Sequence, residues 1–564
     1  MPVQLTTLQG EALLQSREVP WSVYPRPQMR RNSYVNLNGA WELEVAETSY
    51  EIRVPFCPES LLSGVSQHFA EGEPLIYRKN FILPTDFRKD RVLLHFGAVD
   101  QICDIYVNQK HLFHHVGGYH AFTVDITDAL QNENLLEVRV IDDLRDLSQP
   151  YGKQVLPQKR GGMWYTPVSG IWQTVWLESV PTEYMESVSI ENRGYSVKIS
   201  ISPKLSGTIS VDGLGYFPLV DGAVTITPAD PRLWSPEDPY LYRFIVETAE
   251  DRVQSYFAIR SLEIKKVGGY QRLCLNGKPY FFHGLLDQGY WPDGLFTPAA
   301  PECYRDDILA MKKLGFNMLR KHIKIEPEEF YYQCDKLGMV VFQDMVNNGD
   351  YSFFRDTALP TVGLQTLPDK NLHRDAKTRQ EFLRQMELTV RQLQNHPSIC
   401  CWTIFNEGWG QFDSDNVYDR FRQLDDTRFI DSTSGWFRRK KTDVDSRHVY
   451  FRKVKLKGDK KKPLVLSEFG GKTYRAEGHV FNPDKSYGYG GCDSLQALQT
   501  AVKALYMDEV LPCVQKGLCA AVYTQVSDVE DEINGLLTYD REVEKLTPEV
   551  MLPVAKALQE ALER

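Results

Sequence analysis

Over roughly its last 300 residues the chain alternates short apolar runs with helical segments, and no other feature narrows the fold as much. The candidate strands are PYFFHGL (279–285), FNMLRKH (316–322), GMVVFQD (338–344), SICCWTIFNE (398–407), RFIDSTS (428–434), RHVYF (447–451), PLVLSEF (463–469) and GLCAAVYTQ (517–525). Helical spacing of apolar residues marks PECYRDDILAMKKLG (301–315), RQEFLRQMELTVRQLQNH (379–396) and LQALQTAVKALYMDEVL (495–511). Strands that alternate with helices pair in parallel. Eight of them predict a (β/α)8 TIM barrel, expected here over residues 263–564. No helix is legible between the fifth and seventh strands.

Upstream the pattern is all β. RVLLHFGAVD (91–100), ICDIYVNQK (102–110), NLLEVRVID (134–142) and WQTVWLESV (172–180) are apolar alternations set apart by Gly, Asn, Asp and Pro. That spacing predicts a jelly-roll β-sandwich over 1–180. YSVKISISP (195–203), GTISVDG (207–213), AVTITPA (223–229) and YRFIVETA (242–249) predict a smaller, immunoglobulin-like β-sandwich over 181–262. PADPRLWSPEDPY (228–240) reads as an excursion between its strands.

Two barrel strands finish on a carboxylate. WTIFNEGWG (402–410) puts Glu407 at the end of the fourth, and PLVLSEFGG (463–471) puts Glu468 at the end of the seventh. Glu is a poor strand residue, and a charge ending an apolar run is costly unless it is exposed, paired or used. Active sites of such barrels gather at the C-terminal strand ends. Two carboxylates facing each other there invite glycosidic bond cleavage: one protonates the leaving oxygen and the other attacks the anomeric carbon.

A net charge of −10 argues against nucleic acid as the main partner, and no apolar run approaches the roughly 20 residues of a membrane span. The start, MPVQLTTLQGEALL, has neither the basic nor the apolar region of a secretory signal. Ten scattered cysteines form no CxxC unit, so neither a zinc site nor a disulfide scaffold is expected, and a cytoplasmic location is. His111, His114, His115 and His120 lack zinc-ligand spacing and are expected in a sandwich loop. YGYGG (487–491) lacks the Lys-Ser/Thr of a phosphate cradle and reads as a turn or lid. KVKLKGDKKKP (453–463) is either a solvated basic loop or a lip that attracts an anionic substrate.

NEGWG and SEFGG at strand ends resemble glycoside hydrolase family 2, the group of β-galactosidases, β-glucuronidases and β-mannosidases. The likeness extends over nearly the whole chain. NLNGAWELEV (36–45), GGYHAFTVDIT (117–127) and YTPVSGIWQTVWLE (165–178) are similar to the family's sugar-binding sandwich. LNGKPYFFHGLLDQGYWPDG (275–294), which contains Asp287, is similar to the start of its barrel, and VYTQVSDVEDEINGLLTYDR (522–541) to its eighth strand and following loop. The resemblance implies a retaining mechanism with Glu468 as nucleophile and Glu407 as acid/base. It implies that Asn406 bonds the sugar 2-hydroxyl, that Arg320 keeps Glu468 ionised, and that Tyr450 holds the nucleophile by its hydroxyl. Asp287 joins these as a substrate-binding candidate. Trp436 and Trp164 are candidates for a sugar-stacking face, while Trp402 is expected in the core. No cofactor or metal is implied, and the expected partner is a carbohydrate; self-association stays open.

The glycone is less legible. Family members acting on glucuronides carry an Asn-x-Lys motif before a GIFTRDR-like segment. Here Glu532, Ile533 and Asn534 precede GLLTYDR (535–541), so the Lys is missing. That favours a β-galactosidase-like exo-enzyme, with a β-uronidase as alternative if Lys472, or the lysines of 453–462, receive a carboxylate. An inert carbohydrate-binding protein is the alternative of another class.

Overall fold

The computed structural model describes residues 2–361 and 369–563. Its C-terminal part is an eight-stranded parallel barrel: β1 Phe282–Asp287, β2 Met318–Lys321, β3 Val340–Asp344, β4 Ile399–Asn406, β5 Phe429–Ser434, β6 Asp445–Val449, β7 Leu464–Gly470 and β8 Leu518–Thr524. Hydrogen-bonded neighbours run β5-β4-β3-β2-β1-β8-β7-β6. At the seam between β5 and β6, the Asp443 amide donates to the Ile430 carbonyl at 3.0 Å. Nearly every strand residue is buried, which is why the strands read as continuous apolar runs instead of alternations.

The outer helices are α1 Glu302–Lys313, α2 Glu328–Leu337, α3 Ala376–Leu393, α4 Ser414–Leu424, α5 Leu495–Ala504 and α6 Pro548–Glu563. In α3 the Asp375 side chain accepts from the Thr378 amide and caps the first turn, while Phe382, Met386, Val390 and Leu393 form the buried face. Burying those four side chains contributes about 6–12 kcal/mol before the cost of ordering them. No helix separates β5 from β6 or β6 from β7, as the sequence predicts. The β6–β7 connection instead runs extended: the Val454 amide donates to Glu509 at 2.7 Å and the Gly458 amide to the Lys516 carbonyl at 2.8 Å. Lys516 stands two residues before β8, so the lysine-rich segment descends to the barrel end opposite Glu407 and Glu468. It forms no lip at the mouth.

The N-terminal region is a β-sandwich with one four-stranded and one six-stranded antiparallel sheet; a second, smaller sandwich follows from Ser187 to Phe257. The Arg31 guanidinium ties the two together, pairing with Glu178 at 3.2 Å and Asp251 at 2.7 Å. The segment 151–168 leaves the first sandwich and lies across the barrel mouth. Tyr151 Oη donates to the Gly349 carbonyl at 2.8 Å, the Thr166 amide to Glu530 at 2.9 Å, and Arg160 to Glu530 at 2.9 Å. No helix among the described residues is long and apolar enough to cross a membrane.

Candidate active site

Glu407 follows β4 directly, with its backbone in the left-handed region at φ +51°, uncommon for a residue with a Cβ. Gly408 continues the turn at φ +79°, and a Cβ there would meet the Phe437 ring at 2.4 Å. The glycine therefore lets the chain reverse against Phe437 and aim Glu407 into the mouth. Glu468 lies in β7, within the barrel wall. Both carboxylates are buried, 8% and 5% exposed.

His448, on β6, stands between them. One oxygen of each carboxylate and a His448 ring nitrogen all lie within 4.8 Å of one another. Nδ1 is 2.7 Å from Glu407 Oε1 and 3.6 Å from Glu468 Oε2. Arg320, at the end of β2, donates from Nη1 to Glu468 Oε1 at 3.1 Å and from Nη2 to Asn406 Oδ1 at 2.8 Å. Its Nε donates to Asp344 at 3.0 Å, and His322 contacts Asp344 at 2.7 Å. Tyr450 Oη donates to Glu468 Oε2 at 2.5 Å. Burial alone would raise the Glu468 carboxyl; His448, Arg320, His322 and the Tyr450 hydroxyl outweigh it and hold the group below the ordinary carboxylate range.

The geometry brings Asn406, Arg320 and Tyr450 onto the carboxylate pair. Asn406 keeps its Nδ2 buried without a protein partner, a donor aimed into the site. Trp436 is half-buried with its ring 6.3 Å from that of His448. Trp164, from the first sandwich, lies 5.3 Å from Trp409, the tryptophan of the NEGWG turn. Asp287 is instead tied to Lys321 at 2.8 Å and accepts from the Gly289 amide at 3.0 Å. The Lys472 ammonium turns toward Gly490. Trp402 is buried and donates to Asp425 at 2.8 Å.

Sequence reasoning passed over His448, His322, Asp344, Trp409, Tyr489 and Lys153. A signal existed for the two histidines: His448 and Tyr450 are two apart on one strand direction, as are Arg320 and His322, and period two puts such pairs on one face. YGYGG is a wall of the site more than a lid, since Tyr489 stacks on Tyr450 with centroids 4.1 Å apart. His111, His114 and His115 lie on a strand, Lys110–Val116, because that run pairs in antiparallel register with Ile102–Val107, whereas His120 stands in the loop that follows, as expected. His111 and His114 both turn to Asp104, while His115 and His120 are buried apart from them.

Three family models cover most of the chain. "Glycosyl hydrolases family 2, TIM barrel domain" matches residues 265–544, "Glycosyl hydrolase 2 galactose-binding domain-like" residues 55–159, and "Glycosyl hydrolases family 2" residues 180–260. The chain belongs to glycosyl hydrolase family 2. Within family 2 it is 26% identical over 403 residues to a beta-galactosidase of Thermoanaerobacter pseudethanolicus, a match covering 65% of this chain and 49% of that one. It is 26% identical over 377 residues to a beta-glucuronidase of Bacteroides fragilis, covering 59% and 49%. The chain thus spans about half the length of these curated relatives. Its fold matches the beta-D-glucuronidase of Dictyoglomus thermophilum at a TM-score of 0.72, with 18% identity, over 96% of this chain and 98% of that one.

Proposed function

We propose that the chain is a retaining exo-β-glycosidase acting on β-uronides by double displacement. One observation carries the mechanism: oxygens of Glu407 and Glu468 within 4.8 Å of each other, with only Glu468 held by a guanidinium and a phenol. Carboxyl groups of retaining enzymes stand about 5–5.5 Å apart, whereas inverting enzymes leave room for a water. Glu468 attacks the anomeric carbon as the bond to the aglycone oxygen breaks, and Glu407 gives that oxygen its proton. A water then yields a proton to Glu407 and displaces Glu468 from the sugar. Asn406 Nδ2 is placed to bond a sugar hydroxyl as charge develops at the anomeric carbon.

The uronide reading is supported by the relatives from Bacteroides fragilis and Dictyoglomus thermophilum, both named beta-glucuronidase. The β-galactosidase-like reading keeps one observation in its favour. Glu532, which stands in the place of the Asn-x-Lys motif, is a buried carboxylate suited to sugar hydroxyls. Initial rates on aryl β-glucuronide, galacturonide, galactoside, glucoside and mannoside, each with Glu468→Gln alongside, separate the two. Uronide turnover lost in the variant supports the proposal; turnover of neutral glycosides alone moves the substrate to the second reading. No turnover on any of them favours an inert carbohydrate-binding protein.

A further inference from the structure

A β-uronide brings a carboxylate into a mouth already holding Glu407, Glu468 and Glu532, so a cation must receive it. Most cations there are committed. Arg320 spends its guanidinium on Asp344, Glu468 and Asn406. Lys321 and Lys324 both pair with Glu326, and Lys545 pairs with Asp528. Arg160 pairs with Glu530.

Lys153 is different. It lies on the segment that the first sandwich lays over the barrel mouth, and only 6% of it is exposed. Its ammonium faces two indoles, 4.7 Å from the Trp409 centroid and 5.8 Å from that of Trp164. No carboxylate of the described residues lies within ion-pair distance of it. Glu532, the nearest by electrostatic influence, already accepts from Tyr165 Oη and from Asn534 Nδ2. A buried ammonium with only aromatic faces for company is costly, and an incoming anion removes that cost. Trp409 belongs to the turn that carries Glu407, and its ring lies 6.3 Å from that of His322, so the Lys153 ammonium against it borders the same mouth. Burial lowers that ammonium below the ordinary lysine value, while Glu532, Glu468 and Glu407 oppose the shift.

We propose that Lys153 is the specificity-determining cation that binds the glycone carboxylate, with Trp409 and Trp164 as the wall beside it. The proposal rests on the uronide reading above. It moves the carboxylate-binding lysine from the barrel loop, where Asn534 now stands, to the N-terminal sandwich. Its rival is Lys472, whose ammonium lies against Gly490.

The test compares kcat and KM for 4-nitrophenyl β-D-glucuronide and β-D-galacturonide with those for the matching glucoside and galactoside, in wild type, Lys153→Gln and Lys472→Gln. Lys153→Gln is expected to raise KM for the uronide about 100-fold with a smaller change in kcat, because the contact is the same in ground and transition states. A merely structural lysine would instead depress turnover of charged and neutral glycosides alike, and that result overturns the proposal. So does a uronide loss that follows Lys472→Gln. A wild-type protein that turns over only neutral glycosides overturns the uronide reading and this proposal together, whereas uronide turnover indifferent to Lys153→Gln overturns this one alone. In case Lys153→Gln fails to fold, tryptophan fluorescence of Glu468→Gln titrated with glucuronate, galacturonate, glucose and galactose gives a second reading. Tighter binding of the uronates, weakened by added salt, is expected; equal binding of charged and neutral sugars contradicts it.

Discussion

The imidazole of His448 is hydrogen-bonded to Glu407 at 2.7 Å. Its other nitrogen, Nε2, faces Arg320 Nη1 at 3.4 Å and Ser434 Oγ at 3.2 Å. His448 thereby positions the proposed acid/base. Replacing His448 with Ala removes the bond to Glu407, worth about 0.5–1.5 kcal/mol, and kcat/KM is expected to fall roughly 2–10-fold. Steady-state kinetics beside a thermal melt check that the loss is catalytic.

Glu468 supplies the pH prediction. Its carboxyl is held below the ordinary range, so the proposed nucleophile stays ionised as pH falls until that lowered value is crossed. Tyr450→Phe removes one of the groups that lower it, and the carboxyl rises. The acid limb of kcat/KM, which reports the free enzyme, is expected to move to higher pH in the variant. The stability linked to the depressed value is fully present above the unfolded carboxyl's value, about 4.3, and is lost as pH falls through the folded one. The stability gap between wild type and Tyr450→Phe should therefore close in acid.

Gly408→Ala tests the turn that aims Glu407. At φ +79° the added methyl is strained and meets the Phe437 ring at 2.4 Å. A destabilisation of about 1–3 kcal/mol is expected from the overpacking, together with a fall in kcat as Glu407 shifts. Denaturant unfolding and single-turnover rates read the two effects separately.

Glu407, His448 and Glu468 offer ligand atoms close enough to share a metal ion. Arg320, however, already sets its guanidinium against both Glu468 and His448, and a second cation there is repelled. Dialysis against a chelator is expected to leave kcat/KM unchanged. A loss restored by a divalent ion would contradict this.

Much of the barrel was legible because its strands are buried on both faces and so appear as unbroken apolar runs; Glu407 and Glu468 stood out by ending two of them. Arg320 and Tyr450 were legible through the resemblance to family 2 and not through the apolar runs themselves. Lys153 could not be, since its burial depends on a loop from one domain meeting a barrel from another, and no local periodicity records that meeting. The course of the 453–463 segment was illegible for a similar reason. Its lysines advertise a basic loop, but only the docking of Val454 and Gly458 along the barrel wall decides which end of the barrel they reach.

The central claim is double displacement at Glu468. The most direct measurement is proton NMR of the first sugar released from an aryl β-glycoside the protein turns over, recorded before mutarotation. The β-anomer is the predicted product, because two inversions restore the starting configuration. The α-anomer would mean a single displacement by water and would contradict the assignment of Glu468 as nucleophile.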